Sequence, residues 1–61
     1  MDLREEIRKQ VGIIPMSVRN GSVQIAIRFK DAVNDALRVV NNPKAGDREL
    51  RQALASLKRF N

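Results

Sequence analysis

Residues 13–29, IIPMSVRNGSVQIAIRF, carry the strongest local signal in the chain. Asn20-Gly21 separates two apolar runs. A two-residue type I′ turn needs positive φ at both central positions, which these two residues tolerate best. Ile14, Met16 and Val18 alternate before the turn, and Val23, Ile25, Ile27 and Phe29 alternate after it. Period-two alternation gives a strand one buried and one open face. The spacing therefore predicts a β-hairpin whose second strand opens Ser22, Gln24, Ala26 and Arg28 to the surface. Pro15 has no N–H to give a ladder, which makes the first strand an edge.

Working outward, Asp2 to Gln10 reads as a short helix. Asp2 caps it, Glu5 and Lys9 pair at i,i+4, and Gly12 ends it. Asp31 to Asn42 reads as a helix capped by Asp31, with Ala36, Leu37 and Val40 at helical spacing. Asn41 to Gly46 is loop chemistry, and Pro43 stops the helix before it. Asp47 to Phe60 reads as a last helix with Asp47 as N-cap. Leu50, Ala53, Leu54, Leu57 and Phe60 line one face of it. The expected architecture is α+β and a single domain over residues 1–61: a short N-terminal helix, a β-hairpin around Asn20-Gly21, then two helices.

A chain of 61 residues exposes much of its surface, and domains of this size often gain stability from a disulfide, a metal or a second subunit. With neither cysteine nor histidine the first two routes are closed, so no metal or other cofactor is expected and a homodimer is. The same inventory argues against an enzyme. Ser17, Ser22 and Ser56 have no base to activate them. Glu5 and Glu6 are neighbours on a helix and point apart, and Asp31 and Asp35 read as a cap and a solvated residue. No glycine-rich phosphate loop is present. The absence of cysteine fits the cytoplasm. No apolar stretch is long enough to span a membrane, and the charged run Asp2 to Lys9 is not a secretory leader of the usual form.

Twelve Lys and Arg against seven Asp and Glu give a net charge of +5, which favours an anionic partner. A two-stranded ribbon fits the major groove of DNA, where Gln pairs with adenine and Arg with guanine. Over Val23 to Phe60 the sequence resembles the ribbon–helix–helix family of the Arc and Met repressor type, in which a strand precedes two helices. The resemblance implies a homodimer whose strands pair between chains. Gln24, Ala26 and Arg28 then read bases, while Ile25, Ile27 and Phe29 are buried. Asn20-Gly21 leaves open whether the strand pairs within one chain or between two. In either form, Gln24, Arg28, Arg19, Lys30, Lys44 and Arg48 are the candidate nucleic-acid contacts, and the expected function is that of a small DNA-binding regulatory or accessory protein.

The alternative is a non-enzymatic protein-binding module, an assembly, inhibitor or adaptor protein. Its support is the apolar first strand, Val11 to Met16, and it would use the edge strand Ile13 to Val18 for strand addition, or spare apolar residues such as Met16 and Val39 as anchors. Charge gathered at Arg19, Arg28, Lys30 and Lys44 favours DNA. Dispersed charge beside an exposed Ile14–Met16 patch favours protein.

Overall fold

Ser22, and not the Asn20-Gly21 pair, directs the chain. Its hydroxyl accepts a hydrogen bond from the Ile25 N–H, and the backbone passes from extended geometry into a helix running Val23–Asn41. The computed structural model describes residues 2–61 and contains four helices. They are α1 (Leu3–Val11), α2 (Met16–Arg19), α3 (Val23–Asn41) and α4 (Asp47–Lys58). Among the described residues none lies in a strand. The expected α+β fold and its hairpin are overturned, and with them the intermolecular ribbon, because residues 23–29 are helical.

The reason lies in two patterns that share Ile25 and Phe29. Alternation lasts only from Val23 to Phe29. Ile25, Phe29, Ala32, Val33, Ala36, Val39 and Val40 recur at helical spacing over most of α3, and all are buried or half-buried. The longer pattern prevails, since a helix meets its own backbone hydrogen bonds whereas an isolated hairpin is marginal in water. Val23 and Ile27, which a strand would bury, are 76% and 55% exposed.

Asn20-Gly21 instead closes α2. The Asn20 N–H donates to the Met16 carbonyl and the Gly21 N–H to the Val18 carbonyl, with no positive φ among the described residues. The glycine answers a need for space: a Cβ there would collide with the Ser17 carbonyl oxygen and press on Ile25. Pro15 is buried just before α2 at φ −64°, a helix start and not an edge strand. Asp31 is an exposed residue inside α3 and caps nothing. Gly46 takes the cap position of α4, leaving Asp47 as its first residue.

Asp2 accepts from the Arg4 and Glu5 N–H groups and so starts α1, which stops at Gly12. The Arg4 guanidinium reaches across to the far end of α3. It donates to the carbonyls of Val40 at 2.6 Å, Asn42 at 3.2 Å and Ala45 at 3.3 Å. The start of α1 thus meets the end of α3, and these two helices run antiparallel. Phe29 and Phe60 pack edge to face, 5.3 Å apart, where α3 begins and α4 has ended, so these two are antiparallel as well. Ile7, Phe29, Ala36, Val40, Ala45, Leu50, Leu54 and Leu57 form one core between the three long helices. The single turn of α2 lies across one end of this bundle, its Ser17 hydroxyl bonded to the Phe60 carbonyl. The molecule is 35 Å long and has two distinct ends. At the α2 end, α1 and α4 finish and α3 starts.

Candidate docking surface

The loop Gly12 to Pro15 and α2 cover the bundle end with Val18 and Pro15 turned inward. Burying those two leaves their neighbours outside. Ile13 and Ile14 are about half exposed and Met16 is 68% exposed, and Val23 and Ile27, on the first two turns of α3, are exposed as well. Leu37 is the exposed large hydrophobic residue found elsewhere. Scattered apolar residues are ordinary on a protein surface, whereas a group of them confined to one region marks an interaction site.

The same end carries the charge. Helices favour acids in their first turn and bases in their last, because of the partial charges on their unpaired backbone groups. Glu5 and Glu6 open α1, and Arg8 and Lys9 close it; Asp47 and Glu49 open α4, and Lys58 closes it before Arg59. As α1 and α4 both run toward the α2 end, their gradients add. Helix α3 starts there and has no acid in its first turn, so it does not reverse the gradient. Arg19 closes α2 at the same place. The net charge of the chain is thus concentrated beside its exposed apolar side chains.

This arrangement divides the residues that sequence reasoning had grouped. Arg19, Gln24, Arg28 and Lys30 fall on α2 and the first half of α3. Lys44 and Arg48 fall at the opposite end, beyond α3, a helix roughly 28 Å long at 1.5 Å per residue. Gln24 and Arg28 are one turn apart on α3 and share its face with Asp31 and Asp35. Arg28 borders a groove of about 430 Å³ between α3 and α4, whose rim also holds Asp31, Asp35 and Glu49. A phosphate approaching Arg28 there meets three carboxylates. No strand projects Gln24, Ala26 and Arg28 in register, and no edge strand from Ile13 to Val18 is open to strand addition. Among the described residues no group of acidic side chains has metal-binding spacing.

Sequence reasoning missed Arg8, Val23 and Ile27 as surface features, and did not single out Lys58 and Arg59. The signal was present in the sign of the charge at each helix end. It acquires meaning only once α1 and α4 are known to be parallel. Arg4 also went unread, because its partners are backbone carbonyls some forty residues away.

No family model matches the chain, and no curated protein or solved structure matches it either. No helix among the described residues is long and apolar enough to cross a membrane.

Proposed function

We propose that this chain is a non-enzymatic, cytoplasmic protein-docking module whose working surface is the α2 end. The observation that carries this reading is the coincidence of Ile13, Ile14, Met16, Val23 and Ile27 with the basic ends of α1, α2 and α4. Apolar side chains held in water at one place have a use when a partner removes them from it, at about 25 cal/mol per Å² of apolar area. The cations at this end are gathered and not dispersed, but Lys44 is not among them and exposed apolar side chains share the end with them. They therefore serve to speed encounter with a protein and select its charge. A non-catalytic role accords with the residue inventory, which holds no histidine or cysteine to act as base, nucleophile or ligand. The like charge of two such ends opposes pairing with a second copy through this surface, so the partner is a different chain.

A photo-crosslinking residue placed at Met16, and in a second variant at Lys44, tests this inside cells. Protein adducts from position 16 and none from position 44 are the expected result. Adducts to nucleic acid from both positions would instead make the cations phosphate contacts. In that case binding to random duplex DNA should weaken by orders of magnitude between about 50 and 200 mM salt.

A further inference from the structure

Resting on the α2 end as the docking surface, we infer that its partner segment is an amphipathic helix with acidic flanks. Shape and charge both lead there. Val23 and Ile27 are one turn apart and form an apolar ridge along the start of α3, with Ile13, Ile14 and Met16 presented from the adjoining loop and α2. A ridge of this kind packs against the apolar stripe of another helix, whose own side chains fill the spaces beside it. An extended segment finds less to hold it, since no sheet edge exists among the described residues to pair with its backbone.

The charge of the segment follows from what surrounds the ridge. Arg8, Lys9, Arg19, Lys58 and Arg59 are all exposed at the helix ends meeting there. The chain's carboxylates open α1 and α4 or lie further along α3. The start of α3 adds the positive end of a nineteen-residue helix, where Ser22 caps the Ile25 N–H and no acidic side chain offsets the rest. Glu or Asp flanking the partner's apolar stripe would meet an excess of cations at this end of the bundle, Asp31, one turn beyond Ile27, being the nearest carboxylate along α3. A phospholipid surface offers negative charge too, but proteins that rest on one bring aromatic side chains to the interface. Here there is no Trp or Tyr, Phe29 is buried, and Phe60 is half-buried against it. Met16, flexible and the more exposed of the loop and α2 anchors, suits a side chain that must adapt to a helical stripe.

The test uses two synthetic helical peptides of about eighteen residues with the same leucine stripe, one flanked by Glu and one by Lys. Vesicles of phosphatidylglycerol are run alongside. Fluorescence anisotropy should show the Glu peptide binding at least about tenfold more tightly than the Lys peptide. Arg19→Glu with Arg59→Glu should abolish that preference while circular dichroism stays helical, and Lys44→Glu should leave it in place. Equal affinity for both peptides would overturn the inference, as would vesicle binding tighter than either. If neither peptide binds while position 16 still crosslinks to protein, the acidic helix is wrong and the docking surface stands.

Discussion

Two residues hold the architecture through contacts that sequence alone does not announce. Arg4 donates to the Val40 carbonyl, one of those an α-helix leaves without a partner at its end, and to the Asn42 and Ala45 carbonyls beyond α3. Its planar fork presents donors from a rigid, preorganised guanidinium, a geometry that the compact ammonium of a lysine does not reproduce. We expect Arg4→Met to cost about 1–3 kcal/mol, the penalty for unmet buried or half-buried polar groups, with little rescue by Arg4→Lys. Chemical denaturation followed by circular dichroism measures both. Gly21 is legible as a glycine that matters but for the wrong reason. Sequence reasoning assigned it positive φ, and the structure assigns it a close approach to the Ser17 carbonyl. Where only φ is at stake, replacing glycine by alanine often stabilises by narrowing the unfolded ensemble. At Gly21 the collision with backbone should make Gly21→Ala destabilising, by about 1–3 kcal/mol as in overpacked sites. A gain in stability would show that α2 is free to shift.

At the scale of elements, the helices at the two chain ends were legible because their signals are local. Asp2 caps α1 as its chemistry suggests, and the helix stops at Gly12, though at φ −85° and not in the left-handed form usual for a capping glycine. Leu50, Leu54 and Leu57 mark the buried face of α4, and Pro43 lies in the loop that precedes it. The middle of the chain was not legible, because Val23 to Phe29 satisfies two periods at once and Asn20-Gly21 favours the wrong one. What decides between them is the continuation of the helical stripe from Ala32 to Val40, beyond the stretch where alternation looks clean. A pair of substitutions separates the two readings. A strand buries Ile25 and Ile27 on the same face, whereas α3 half-buries Ile25 beside Gly21 and leaves Ile27 outside. Ile27→Lys should therefore change stability by no more than about 0.5 kcal/mol, the usual range for exposed sites. Ile25→Lys should cost several times as much. Equal losses from both, measured as shifts in urea midpoint, would argue for a strand.

For the whole molecule, the docking end and the stability of the bundle pull in opposite directions. The candidate surface was half legible: Ile14 and Met16 were visible as part of an apolar stretch suited to a protein partner, and Arg19 as a cation suited to an anionic one. Their union with Arg8, Lys58 and Arg59 requires the parallel course of α1 and α4, which no local pattern encodes. Bringing these cations to one end also sets them against each other. Among the described residues the ion pair present, Arg38 to Asp35 at 4.0 Å, is exposed and offsets little of that. Salt should therefore stabilise the fold, because it screens more repulsion than attraction. We expect Tm to rise between about 20 and 500 mM sodium chloride. Met16→Glu carries the argument furthest. It places a carboxylate at the first position of α2, among the cations, in place of a side chain that is mostly exposed. The fold should gain about 0.2–1 kcal/mol from the new attractions. For a domain near this size, each 1 kcal/mol moves Tm by about 4–8 °C. The same substitution removes an apolar anchor and repels an acidic partner, so binding of the Glu-flanked peptide should fall at least about tenfold. A variant that melts higher yet no longer docks would show that the exposed methionine and the crowded charges serve binding and not folding. A variant that melts lower would place Met16 in the structure of the bundle end and remove it from the docking surface.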